Sequence, residues 1–122
     1  MATAPELTLV IDALDPPSLA PFWAAALGYL VAGAAGNYVA LVPEGRPGPN
    51  LLIQRVGEEK AVKNRVHLDL KDPDLEGLVR RLEGLGARRL EVASRSELGA
   101  TWVVMADPEG NEFCVCDGAG GC

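Results

Sequence analysis

The chain has 122 residues and a mass of 12.8 kDa, the size of one domain built on one hydrophobic core. Seventeen acidic residues against eleven basic ones leave a net charge of −6, which repels nucleic-acid phosphates and anionic membranes and disfavours both as partners. With two each of Phe, Trp and Tyr, the core falls to 17 Ala, 17 Leu and the many Val.

Three cysteines do not make a disulfide framework, and Cys114 and Cys116 are too close together to bridge within one strand. No signal peptide is read between Met1 and Asp15, so a cytoplasmic setting is expected. From Pro16 to Pro43 there are 28 residues without a charge, long enough to cross a bilayer, but Pro21, Gly28, Gly33 and Gly36 interrupt them. No membrane span is expected.

In chain order, Leu7–Asp12 reads as a strand, and Asp15 is placed to cap a helix whose first turn tolerates Pro16 and Pro17. Leu19, Phe22, Trp23, Ala26 and Leu27 recur at helical spacing, and Gly28 ends that helix in the left-handed conformation. Three strand-like runs follow, at Tyr29–Ala32, Tyr38–Val42 and Leu51–Val56. Gly57 to Asn64 is a polar linker. Then the plan repeats: a strand over Arg65–Lys71, a helix opened by Asp72-Pro73 with Leu75, Leu78, Val79, Leu82 and Leu85 on its apolar face, and a stop at Gly86. Glu76 and Arg80 are spaced to pair on its wet side. Three more runs, Arg88–Val92, Thr101–Met105 and Phe113–Cys116, complete it, and the 118–122 tail is expected to fray. In the last hairpin, Asp107-Pro108-Glu109-Gly110 suits a type I turn.

The two halves superpose at an offset of 57 residues, which sets Asp15-Pro16 on Asp72-Pro73. Each half therefore reads as βαβββ. The chain is predicted to be a single domain, 1–122, with module one at about 5–57 and module two at about 64–117.

Asp15, Phe22-Trp23, Leu27-Gly28-Tyr29, Asn64-Arg65-Val66-His67-Leu68-Asp69-Leu70 and Asp107-Pro108-Glu109-Gly110-Asn111-Glu112-Phe113, in this order, resemble the vicinal-oxygen-chelate superfamily, the fold of glyoxalases, bleomycin-resistance proteins and extradiol dioxygenases. The resemblance implies an α+β protein whose two βαβββ modules form a curved, half-open mixed-sheet barrel with helices outside and a ligand cavity inside. It also implies a divalent metal held by His, Glu or Gln, His and Glu, from the first and last strand of each module. His67, the single histidine, falls on one of these positions. Its first-module counterpart is Thr8 or Val10, Cys114 stands where the family has Glu, and the remaining position is Ile53 or Gln54. Neutral and thiol groups are a poor match for the hard octahedral ions of the family. No metal and no cofactor are therefore expected, although zinc on His67, Cys114 and a carboxylate such as Glu112 is an alternative.

Strand parity turns His67 and Asp69 opposite to Val66, Leu68 and Leu70, and Glu112, Cys114 and Cys116 opposite to Phe113 and Val115. The polar sets should line the cavity, together with Thr8, Val10 and Asp12. The expected ligand-binding residues are Thr8, Gln54, His67, Asp69, Trp102, Glu112 and Cys114. For His67 the competing reading is a buried histidine bonded to Asp69 or to a backbone carbonyl. Cys114 and Cys116 read as core fillers ahead of nucleophiles, Trp23 as core, Asp107 to Asn111 as a turn device, and Arg80-Arg81 with Arg88-Arg89 as solvated surface.

Three functions follow. The first is a protein that binds a small organic molecule in its cavity without the family's metal. The second is a metal-dependent lyase, isomerase or dioxygenase using His67. The third is a drug-sequestering resistance protein or a vestigial dimerisation domain. A homodimer is expected in each case.

Overall fold

The computed structural model describes residues 4–91, 95–97 and 99–118. The chain divides into two compact units, Met1–Glu59 and Lys60–Cys122, and the division falls inside the linker read from the sequence.

The first unit runs β1 (Thr8–Ala13), α1 (Pro16–Leu27), β2 (Tyr29–Ala35), β3 (Tyr38–Pro43) and β4 (Asn50–Arg55). Its open sheet has the order β1-β4-β3-β2, with β1 parallel to β4 and the other pairs antiparallel. Register lines up Leu9, Leu51 and Leu41 in one row and Ile11, Ile53 and Val39 in the next. Side chains in register share a face, so these two rows make the apolar floor on which α1 sets Leu19, Phe22, Trp23 and Ala26. The Phe22 and Trp23 rings meet edge to face, with centroids 5.2 Å apart.

Asp15 stands at the start of α1 as expected, but it serves through its main chain: its carbonyl accepts from Ser18 and Leu19, while its carboxylate takes the Ser18 hydroxyl at 2.7 Å. Gly28, at φ 69°, turns the chain into β2, and Arg46 donates to the last-turn carbonyl of Leu27 at 2.6 Å.

The second unit runs β5 (Asp69–Lys71), α2 (Leu75–Leu85), β6 (Arg88–Arg89), β7 (Arg95–Glu97), β8 (Ala100–Ala106) and β9 (Glu112–Cys116). Its order is β5-β9-β8-β6, with β7 also on β8 and β5 parallel to β9. Since β6 pairs with Met105–Ala106 and β7 with Ala100–Trp102, they act as one interrupted strand along β8. The unit is thus a second βαβββ module, and the fold is α+β. Leu70, Val115 and Val103 form one buried row and Phe113 with Met105 another, beneath Leu78, Val79 and Leu82 of α2. Neither sheet closes on itself.

Four details differ from the sequence reading. The strand expected over 65–71 shrinks to β5, because residues 60–64 are drawn toward Glu112 instead of continuing the ladder, and Val66 is left 80% exposed. The cap of α2 is Asp74, whose carboxylate accepts from the Gly77 amide at 3.1 Å, while Asp72 in turn accepts from the Asp74 amide. Glu76 pairs with Arg89 at 2.6 Å and not with Arg80, because the start of β6 lies beside the helix. The strand expected at 88–92 ends at Arg89; Val92 lies outside the described residues, as do 119–122 of the tail.

Asp107 is 2% exposed, and its carboxylate accepts from the amides of Glu109 and Asn111 and from the Asn111 side chain, which makes the predicted turn a closed device. Among the described residues, no helix is long and apolar enough to cross a membrane.

Candidate functional site

The face of the second sheet opposite α2 follows from the same registers. Asp69, Cys114 and Val104 form one row; Lys71, Cys116 and Trp102 form the next; Glu112 and Ala106 share a third. His67 precedes β5 by two residues and joins this face by bonding to it: its Nδ1–H donates to Asp69 Oδ1 at 3.0 Å. The side-chain donor atoms of His67, Asp69 and Cys114 all lie within 4.8 Å of one another.

Each member is positioned by a different device. Asp69 is fixed by the parallel pairing of β5 with β9, in which it is the register partner of Cys114. Cys114 is fixed at its backbone, where its amide donates to the Leu68 carbonyl at 2.9 Å, and that bond ties the segment carrying His67 to β9. His67 is not the buried histidine of the competing reading. Its side chain is 43% exposed, and so is that of Asp69. The pair therefore faces solvent, or a ligand.

Two cysteine expectations change. Cys114 is half-buried beside His67 and Asp69, because its parity turns it away from the helix-covered core, and it carries a thiol. Cys116 is buried, as a core filler should be, but it is disulfide-bonded.

Glu112 does not join the cluster. Its carboxylate accepts from the Asn64 amide at 2.9 Å and pairs with Lys63 at 3.0 Å and Lys60 at 3.2 Å. The Asn64 amide first, then the two ammonium groups, hold its carboxyl down to about 2. Glu112 is thus an anchor for the segment leading to His67. Lys60, which also donates to the Val62 carbonyl, and Asn64, which returns a bond to the Glu112 carbonyl at 3.3 Å, belong to the same anchor. The sequence reading missed these three partners of Glu112. They lie 48 to 52 residues away from it, and no local pattern signals the pairing.

Trp102 is half-buried on the same face, one row along from Cys114. Thr8 and Gln54 belong to the first unit and are not neighbours there: Thr8 is exposed and pairs with Asn50, whereas Gln54 is half-buried between Asp12 and Tyr38.

The first unit is instructive as a negative copy. The offset of 57 residues sets Val10 on His67 and Asp12 on Asp69. Strand pairing sets Gln54 on Cys114, because each is the register partner of the corresponding aspartate. Gln54 is therefore the matching position, and Ile53 is fully buried under α1. The first copy thus offers a valine, an aspartate and an amide where the second offers an imidazole, a carboxylate and a thiol. The four-ligand set expected of a hard divalent ion does not fit these residues, since Val10 has no donor atom and a thiol replaces the carboxylate of the second module.

The family profile described as a glyoxalase-like domain matches residues 8–116. A search of curated proteins gives no significant match. Among solved structures, a glyoxalase/bleomycin resistance protein/dioxygenase from Nocardioides is 18% identical, with a TM-score of 0.72 over 100% of this chain and 91% of its own. A family enzyme of the same description from Burkholderia phytofirmans PsJN is 15% identical, with a TM-score of 0.72 over 90% and 95%. The oxidase ChaP-H2 is 18% identical, with a TM-score of 0.69 over 98% and 100%. With a profile match across nearly its whole length and two βαβββ modules, the chain belongs to the family of glyoxalase-like domains.

Proposed function

We propose that this protein binds a small organic molecule against the open face of its second sheet, centred on His67. The observation that carries this reading is the convergence of an imidazole, a carboxylate and a thiol on one partly exposed face, with a tryptophan one row along. Such a face offers a few directional polar groups and one flat apolar surface, the mixture that orients a small ligand. Glu112 takes part as the anchor of the His67 segment and not as a contact. Thr8 and Gln54 remain candidates from the first unit.

A homodimer is part of the proposal. Val10, Leu30 and Tyr38 are 49%, 49% and 42% exposed on the first sheet, on the side turned away from α1, and apolar surface of this kind favours a second copy. A cytoplasmic setting, expected from the sequence, also belongs to the proposal.

Native mass spectrometry of the protein purified from its host, repeated on His67→Ala and Trp102→Ala, tests the reading. A retained small molecule that is lost or depleted in both variants supports it. An empty wild-type protein that also shows no thermal shift across a library of aromatic acids, 2-oxoacids and phenols removes it. Sedimentation at micromolar concentration tests the dimer, and a monomer would refute it.

A further inference from the structure

We infer that the Cys114 thiol is a nucleophile that captures small, flat, electron-poor alkenes of the α,β-unsaturated carbonyl class, with His67 as its base. The inference rests on the proposed function, whose open face it uses, and names the chemical class that this face takes.

The placement of the thiol carries it. Parity turns Cys114 out of the core, in register between Asp69 and Val104, and the residue is half-buried. Its Sγ lies within 4.8 Å of a ring nitrogen of His67 and of a carboxylate oxygen of Asp69. A nucleophile, a base and a group that orients the base thus share one face, the arrangement that activates a weak nucleophile. The bond from Nδ1–H of His67 to Asp69 Oδ1, at 3.0 Å, is the orienting one. It holds the proton on Nδ1 and leaves Nε2 with the lone pair that takes the thiol proton. The His67 side chain is 43% exposed, so the imidazole has room to close the remaining distance to Sγ as an electrophile arrives.

The charged groups on this face favour a thiolate paired with an imidazolium. The Asp69 carboxylate is neutralised by the imidazolium that it bonds, and Lys71 stands one row along. Glu112, two residues before Cys114, is paired with Lys60 and Lys63. From β8 come Ala106, Val104 and Trp102, which add no charge, and the indole offers a flat apolar surface to a conjugated substrate. Cys116 has the same parity as Cys114 but is buried and disulfide-bonded, so it offers no thiolate. The equivalent set in the first unit, Val10, Asp12 and Gln54, has neither base nor nucleophile.

The step balances without a further reagent. Nε2 of His67 takes the Cys114 proton, and the thiolate sulfur bonds to the β-carbon of the alkene as its π pair moves to the α-carbon. The imidazolium then gives the proton to the α-carbon. One S–C bond and one C–H bond form, while one S–H bond and one π bond break. The product is a thioether on Cys114, and neither oxidant nor reductant is needed.

The test uses the full-length chain without added reductant, which keeps the Cys116 disulfide closed. N-ethylmaleimide is the probe, intact mass and peptide mapping follow the adduct between pH 5 and pH 9, and N-acetylcysteine amide is the reference thiol. An adduct on Cys114 is expected, forming at pH 6 at least about tenfold faster than on the reference thiol. His67→Ala should lose at least about tenfold of that rate and move its rise with pH to the ordinary thiol range near 8.5. Asp69→Asn, at the positioning residue, should shift the same profile in the same direction, and Cys114→Ser should form no adduct. Circular dichroism establishes that each variant is folded. A merely structural role for His67 would leave the thiol more open in His67→Ala and its rate unchanged or raised. A smaller acceleration in the wild type, an unchanged rate or pH profile in His67→Ala, or no adduct at Cys114 would each overturn the inference. The two readings fail separately. A fast Cys114 adduct with no small molecule retained and no thermal shift removes the proposed function alone, and a retained small molecule with a slow Cys114 removes the capture alone.

Discussion

Asp69 and Cys114 are register partners across the parallel β5 and β9 pair, and the aspartate also accepts from Nδ1–H of His67 at 3.0 Å. The sequence separates these two partners by 45 residues, and only strand pairing brings them opposite one another. The same relationship in the first unit joins Asp12 to Gln54, so one architectural position carries chemistry in one module and none of that kind in the other.

Glu112 should stabilise the fold through its carboxylate, and the sign follows from the direction of its shift. Its folded value of about 2 lies below the ordinary 4.5, so the stabilisation is fully present above pH 4.5 and is lost as pH falls toward 2. Because Lys63 is 74% exposed, screening keeps the effect modest, and Glu112→Gln should cost about 1 kcal/mol at neutral pH. Urea denaturation from pH 7 to pH 2 should show the variant converging on the wild type at the acid end. Parallel curves would contradict the assignment.

Two glycines near the end of α2 should respond in opposite directions. Gly84 lies inside the helix with open space where a Cβ would stand, so Gly84→Ala should stabilise by about 0.5–1 kcal/mol. Gly86 has φ 116°, and a Cβ there meets Pro108 at 3.2 Å, so Gly86→Ala should destabilise by about 1–3 kcal/mol. Thermal melts of the two single variants settle the contrast.

The two helix starts should also differ. Asp74 accepts from the Gly77 amide with its side chain, and Asp74→Ala should cost about 1 kcal/mol. Asp15 makes no such bond from its side chain to the helix backbone, and Asp15→Ala should cost less than Asp74→Ala. Equal losses in chemical denaturation would mean that the Ser18 hydroxyl bond to Asp15 does the capping.

Burial predicts a wide spread among aliphatic truncations in the second unit. Leu82 is 0% exposed beneath the sheet, and Leu82→Ala should cost about 2–5 kcal/mol. Val66 is 80% exposed in the segment before β5, and Val66→Ala should fall within about 0.5 kcal/mol of the wild type. A large loss at Val66 would indicate that this residue is covered in solution by a partner, which the dimer experiment would then locate.

Much of the architecture was legible because local signals are strong where the chain changes period. Asp-Pro before each helix, Gly28 and Gly86 after, and the Asp107 turn all depend on near neighbours, and all stand close to where the sequence reading puts them. The helical stripes from Leu19 to Ala26 and from Leu78 to Leu82 are buried as read. Parity also turned Asp69 and Cys114 away from Leu70 and Val115, as the strand register does. It left open what they meet on that face, since a period of two says which side a residue takes and nothing of what stands beside it.

By itself the sequence determined a duplicated βαβββ plan, its core residues and the face that carries the polar side chains. Those properties come from periodicity and turn chemistry within a dozen residues. The tertiary structure decided which carboxylate serves which purpose. It set Asp69 beside His67 and Cys114, and it gave Glu112 to the lysines and amide of the 60–64 segment. Both choices depend on strand register and on one loop crossing to β9, interactions between residues some 45 to 52 positions apart that leave no trace in local pattern.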